Sequence, residues 1–446
     1  MKSYRSLFFV ALMAIFSARG FASAPPAPGY ESRIRNFVDS LRAVDTHEHL
    51  FEPENLLKSY FLDFTLLLQQ NSWDDLVSAG MPDTLHNYLF NTPLPVQEKW
   101  KAIEPYWKKC FNTTSNRVLM RAVKDIYGFS ELNDSTVKLL SYKMKEVYGK
   151  DWLKFMIKDV CRFDYVLQES DFLVDSCRFV RYTNKFTEWL TIRSKYTLDS
   201  LAAAQVDPIY TLDDFVRSQE SAFENAVESG MVAVKINIAY ERTLSIDDIS
   251  YEAARKIFRT IVNGDESYRM SWGEAKPLQD YMVHQLLLLA RKHNLPVAFH
   301  TGMQAGPGNY VDNSDPSLLT GIFMKYPDIR FVLYHGSYPF GGKLSVLAKT
   351  FRNVWVDMNW TWSISPSYAA VYLKEFLETV PVSKIMAFGG DQRCIENTYG
   401  ELRIAKKIIS DVLIESVTDG SMTENEAFAI AKMILRDNAV EFYNLV

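Results

Sequence analysis

The chain has 446 residues, 48% of them hydrophobic and 23% charged, with a formal net charge of −5. That is enough for one large domain or two ordinary ones, each with a sizeable core. The slight acidic balance, with no basic block, leaves nucleic-acid binding without electrostatic support.

Lys2 and Arg5 precede an apolar run from Leu7 to Phe16, and small residues follow around Ala22 and Ala24. This order predicts an export signal over residues 1–24, with an apolar run too short for a stable membrane span. The expected location is periplasmic or extracellular. Cys110, Cys161, Cys177 and Cys394 have no metal-type spacing and are free to pair or to stay buried. A Pro-rich linker then leads to a helix over Glu31–Arg42 and to the stretch Ala43-Val44-Asp45-Thr46-His47-Glu48-His49-Leu50. In a strand, residues i and i+2 share a face, so His47 and His49 project together and Glu48 turns away. Residues 25–50 thus start the fold with half of a metal site.

Residues 51–160 show mostly helical periodicity, with helices expected over Val96–Cys110, Asn116–Tyr127 and Thr136–Tyr148, the last capped by Asn133-Asp134-Ser135. Residues 161–446 then supply strands regularly. They are expected over Phe163–Gln168, Arg178–Thr183, Met231–Ala239, Leu295–Thr301, Arg330–His335, Val354–Met358 and Lys384–Phe388. Helices over Leu212–Glu228 and Leu278–Lys292 precede the fourth and fifth strands, and Glu401–Glu415 and Glu424–Leu445 close the chain. Alternating β and α units indicate an α/β fold, a (β/α)8 TIM barrel with a helical insertion between strands one and two. Only Glu169–Cys177 joins strands two and three, which is short for a crossover with a helix. Either that helix is missing or one of the two strands is misplaced.

In such a barrel the active site lies at the C-terminal strand ends. His47 and His49 end strand one, His300 strand five and His335 strand six, while strand eight runs into Gly389-Gly390-Asp391 and strand four carries Lys235. Four of the seven histidines therefore meet at one rim. Three or four nitrogen and oxygen ligands with room for water suit a catalytic divalent ion. The remaining three, His86, His284 and His293, read as ordinary structural residues.

This pattern resembles the amidohydrolase superfamily of metal-dependent hydrolases. Lys276-Pro277-Leu278-Gln279-Asp280-Tyr281 leading to Phe299-His300-Thr301-Gly302 is similar to the amidohydrolase-related domain fused to glutamine-synthetase-like proteins. So are Val234-Lys235 with Tyr240-Glu241-Arg242, and His335-Gly336-Ser337-Tyr338-Pro339. The insertion resembles that of uronate isomerases. The resemblance implies that His47, His49 and Asp391 bind a divalent metal, zinc first, with manganese or another divalent ion as alternatives. It makes His300 a further ligand or a neighbour of the metal, and His335 a second ligand or a carbonyl-polarising group. Asp391 is the expected proton acceptor for the attacking water. Lys235 is either carboxylated between two metals or, the reading favoured here, an ammonium that meets a substrate carboxylate. Tyr240, Arg242, Trp360 and Arg393 follow strands four, seven and eight as candidates for the substrate pocket. The implied function is an exported metal-dependent hydrolase acting on a small amide, lactone or related carbonyl compound. A uronate isomerase-like or decarboxylase activity on the same metal barrel is the alternative.

Overall fold

In the computed structural model, residues 27–170, 178–265 and 267–445 are described. The predicted export signal and Cys177 lie outside them. Cys110, Cys161 and Cys394 are free thiols, all buried. No helix among the described residues is long and apolar enough to cross a membrane.

Eight strands form one parallel sheet in sequential order: β1 Ala43–Glu48, β2 Phe163–Gln168, β3 Val180–Lys185, β4 Met231–Ile236, β5 Val297–Phe299, β6 Phe331–Leu333, β7 Val354–Asp357 and β8 Ile385–Met386. Beyond β8 the chain returns to β1. Thr46 N donates to Phe388 O at 3.1 Å, Asp391 N to His47 O at 2.8 Å and His49 N to Gln392 O at 3.0 Å. These bonds close the seam of a TIM barrel. The two strands in question, β2 and β3, are both present and pair in parallel, so neither strand was misplaced. β3 starts and ends two residues later than expected.

Between β1 and β2 the chain is almost wholly helical, including α1 Asn71–Ser78, the helix Val96–Cys110, α2 Thr114–Ala122 and the helix Asp134–Val147. Asn133 caps the last by accepting from Ser135 N and Thr136 N. Outside the barrel, α3 Leu212–Glu228 starts at a Thr211–Asp214 capping box, and the chain turns into β4 through Gly230 at φ 88°. A Ser271–Glu274 capping box likewise starts α4 Trp272–Lys292 ahead of Pro277. The proline therefore sits near the helix start rather than before it. The last long helix, α5 Ile395–Thr418, runs along the seam side.

Three apolar clusters follow. The largest joins strand faces to the outer helices. The insertion has its own, built from residues such as Leu66, Trp100, Ile103, Leu119 and Leu140, with Cys394 the contribution from the barrel side. The third fills the barrel from below, where Val44, Leu167, Ala233, Ala298, Val332 and Met386 meet Phe442 and Tyr443 of the C-terminal segment. That segment was expected as one helix and is helical from Glu424 to Tyr443, with a π turn over Met433–Asp437 inside it.

Several contacts dock the insertion on α5, among them Asn397 Nδ2 donating to Leu67 O at 2.9 Å. The buried Glu396 carboxylate accepts from Tyr127 Oη at 2.8 Å, Tyr148 Oη at 3.0 Å and Trp152 Nε1 at 3.1 Å. Gly400 lies against the Val118 carbonyl of α2, where a Cβ would collide with it.

Candidate metal centre and cleft

The site is assembled on the seam. A register shift between Asp45 and Glu48 re-aims β1, so His47 faces inward although Val44 already fills the barrel. Gly389 and Gly390 bring the other side close. A Cβ on Gly389 would meet Asn359 and Thr46, and one on Gly390 would collide with the Glu48 carboxylate. Asp391 then turns at φ 51°, as His335 and Trp360 do at 64° and 60°. Such left-handed backbone costs of the order of 1–3 kcal/mol in a non-glycine residue and collects at functional sites.

His47, His49 and Asp391 offer ligand atoms that all lie within 4.8 Å of one another. Asp391 Oδ1 stands 3.2 Å from His49 Nε2 and 3.5 Å from His47 Nε2. That oxygen is buried and has no hydrogen-bond partner among the described residues. Two imidazoles and a carboxylate oxygen so placed fit a divalent ion with an open coordination position. Burial, then the Lys235 ammonium, hold His47 well below the ordinary imidazole value, so it is a neutral ligand. Burial alone would raise Asp391, but the facing imidazoles outweigh it and keep the carboxylate ionised.

His335 and His300 form a second layer. His300 Nε2 lies 2.9 Å from Met303 O, which requires that nitrogen to carry the proton. His300 Nδ1 then faces His335 Nε2 at 3.0 Å, while His335 Nδ1 faces Asn359 O at 3.4 Å. The same His335 nitrogen faces Asp391 Oδ2 at 3.7 Å. Burial lowers His335 to about 4 and puts His300 well below its ordinary value, so both rings are neutral at pH 7. His300 was expected among the metal ligands. Here both its nitrogens are engaged, and it stands outside the converging set.

Lys235 is buried, with Nζ 2.5 Å from His47 Nε2 and 2.9 Å from Glu169 Oε2. Metal ligation through His47 Nε2 and this hydrogen bond exclude each other, so an ion at the site leaves Lys235 to Glu169. Lys185 Nζ lies 2.6 Å from Glu169 Oε1, and its side chain is 41% exposed. Burial would raise Glu169, but Lys235 and its other cationic neighbours hold it well below the carboxylate range. Neither Glu169 nor Lys185 was anticipated. Each ends or follows a barrel strand, so the strand-end rule applied to β2 and β3 finds both.

Above these groups opens a cleft of about 570 Å³. Lys235, Tyr240 and Arg393 line it; the Tyr240 ring lies tilted against His300 at 4.7 Å, and its Oη accepts from Ala305 N at 3.1 Å. Arg242 does not reach it. Its guanidinium is buried in an ion pair with Asp280 at 2.8 Å, because the turn after β4 directs it toward α4. Trp360 lies behind His335, ring to ring at 5.0 Å. The insertion supplies the facing wall with Gln70, Trp73, Asp74 and His86. His86 had been read as structural, and no local signal marked the others. Gln70 Nε2 donates to Asp391 O at 3.0 Å, and Asp74 accepts from Gly306 N at 2.8 Å, so this wall is tied to the seam and to the loop after β5.

A sequence-family model described as Amidohydrolase matches residues 221–445. The chain is similar to Protein fluG of Emericella nidulans, 26% identical over 242 residues that cover 52% of this chain and 28% of that protein. The match thus spans less than a third of that relative's length. Among solved structures the chain is similar to a uronate isomerase from Thermotoga maritima, with a TM-score of 0.76 and 15% identity over 93% of this chain and 97% of that one. It is also similar to a glucuronate isomerase from Caulobacter crescentus, with a TM-score of 0.74 and 16% identity over 95% of each chain. At these identities the likeness carries the fold.

Proposed function

Since this chain belongs to the amidohydrolase superfamily, we propose that it is an exported metal-dependent hydrolase in which water attacks an amide, lactone or related carbonyl group. The observation that carries this reading is the convergence of His47, His49 and the unpartnered Asp391 Oδ1 at the floor of an open cleft. A divalent ion held there, zinc by preference for this ligand set, supplies Lewis acidity that activates water and polarises the carbonyl. Asp391 Oδ2, turned toward His335, takes the proton of the attacking water and returns it to the leaving group. His335, kept neutral by burial and standing beside Asp391 Oδ2, polarises the carbonyl oxygen. The Lys235 ammonium, released from His47 when an ion is bound, and the exposed Lys185 ammonium both line the cleft and meet a carboxylate on the substrate. The basic, apolar and small-residue order of residues 1–24 supports export to the periplasm or beyond the cell.

The metal-loaded protein, assayed against amide, lactone and uronate panels, tests the reading. Turnover of an amide or lactone that falls with Asp391→Asn is expected; turnover of uronates alone refutes hydrolysis. That second outcome is the isomerase reading. The insertion that walls the cleft favours it, since the likeness to uronate isomerases extends over 93% of this chain.

A further inference from the structure

Two residues of the insertion that line the cleft, Gln70 and Trp73, each bury a polar atom with no partner among the described residues. Gln70 stands at φ 66° and ψ −106°, outside the regions open to ordinary residues. Its Nε2 is spent on Asp391 O, and its Oε1 is buried without a partner. Trp73 is 4% exposed, and its Nε1 is likewise unpartnered. Its indole is fixed edge-on between His86 at 4.7 Å and Phe90 at 5.2 Å. A strained residue and a clamped ring thus hold one acceptor and one donor in the same wall. Burying such groups unpaired is unfavourable, and in native proteins they mark sites that complete their bonding with a ligand.

We propose that Gln70 and Trp73 form a subsite for hydroxyl groups on the substrate. A hydroxyl both donates and accepts, so the hydroxyls of one substrate can serve the acceptor Gln70 Oε1 and the donor Trp73 Nε1 alike. A carboxylate can answer Trp73 but repels the Gln70 oxygen, and an alkyl chain answers neither. The substrate is then a hydroxylated acid, its carboxylate at Lys235 and Lys185 and its hydroxyls at the insertion wall. This inference rests on the cleft being the substrate site, as in the proposed function.

Calorimetric titration of the metal-loaded full chain with gluconate and with hexanoate tests it, since the two acids share chain length and charge and differ in hydroxyls. The wild type is expected to bind gluconate at least ~10-fold tighter. Trp73→Phe and Gln70→Leu should each weaken gluconate by about 3- to 10-fold and leave hexanoate unchanged. Equal affinity for the two acids in the wild type, absence of gluconate binding, or a preference that survives both substitutions overturns the proposal. The wild-type comparison decides even if a variant fails to fold. Metal content and hydrolase activity of the same sample separate the two ideas: a metal-loaded protein that prefers gluconate but hydrolyses nothing refutes the hydrolase reading alone.

Discussion

On the barrel floor, charged groups come in closely opposed sets: Asp391 faces three imidazoles, and Glu169 faces two ammonium groups. On the insertion wall of the same cleft, the polar groups are mostly neutral, and Gln70 Oε1 and Trp73 Nε1 lack a partner among the described residues. The floor belongs to strand ends fixed by the parallel sheet. The wall belongs to a unit with its own apolar core, docked through Glu396 and Gly400. The contrast separates two tasks. Reaction chemistry needs charges held rigidly at set distances, whereas selection needs hydrogen-bonding groups that remain free until the substrate arrives. A wall with a separate core can change its selecting groups without disturbing the floor.

The sharpest way to break this division is at Asp391. Asp391→Asn keeps the shape but cannot take a proton, so turnover at saturating metal should fall by at least ~10²-fold with the fold retained. Steady-state kinetics with metal restored and circular dichroism check it. Turnover within about threefold of wild type would remove Asp391 from the base role.

The next largest effect tests the docking. Glu396→Ala strands Tyr127, Tyr148 and Trp152, and should cost about 2–4 kcal/mol in denaturant unfolding. Metal content should stay at the wild-type level, since the ligands belong to the floor. Loss of metal in this variant would mean that wall and floor are not separable.

Asp74 gives the wall a pH signature. Burial raises its carboxyl to about 6, against about 3.9 in the unfolded chain. The folded state holds this proton more tightly. The associated stability is therefore fully present below about pH 4 and is lost as pH rises through about 6. Asp74→Asn keeps an acceptor for Gly306 N. It should match wild type at pH 4 and exceed it by about 1–3 kcal/mol above pH 6, as read from unfolding curves across that range.

The smallest effect has the opposite sign to most substitutions. Gln70→Gly releases the strained backbone, so stability should hold or rise by up to ~1 kcal/mol while kcat/KM falls. A clear loss of stability would show that Gln70 serves the fold rather than the cleft.

What could be read in the sequence follows the same division. His300, His335 and Asp391 were legible because each follows a short apolar run whose end the barrel places at one rim, and His47 and His49 because two histidines at i and i+2 share a strand face. Lys185 was missed because β3 runs two residues beyond its expected end. Arg242 was put in the pocket because sequence does not say which way the turn after β4 faces; its partner Asp280 lies on α4. The wall left no trace at all. Gln70 and Trp73 lie in a helical unit whose local pattern encodes its own core. Their position over Asp391 depends on long-range contacts with α5, such as Gly400 against Val118, three donors on Glu396 and Asn397 on Leu67 O.

The seam described above also has a consequence for when the protein becomes competent. It is closed by groups 342 positions apart, Thr46 and Phe388. Contacts of such separation form slowly, because the entropy of a very long loop opposes them until neighbouring strands have narrowed the search. The insertion, whose core draws on near neighbours in the chain, can condense early. The ligand set cannot: His47 and His49 are made first and Asp391 arrives with the last strand. During synthesis and folding, then, a chain with most of its structure in place still has no assembled metal-binding floor, and that floor is completed only when the two ends of the barrel meet.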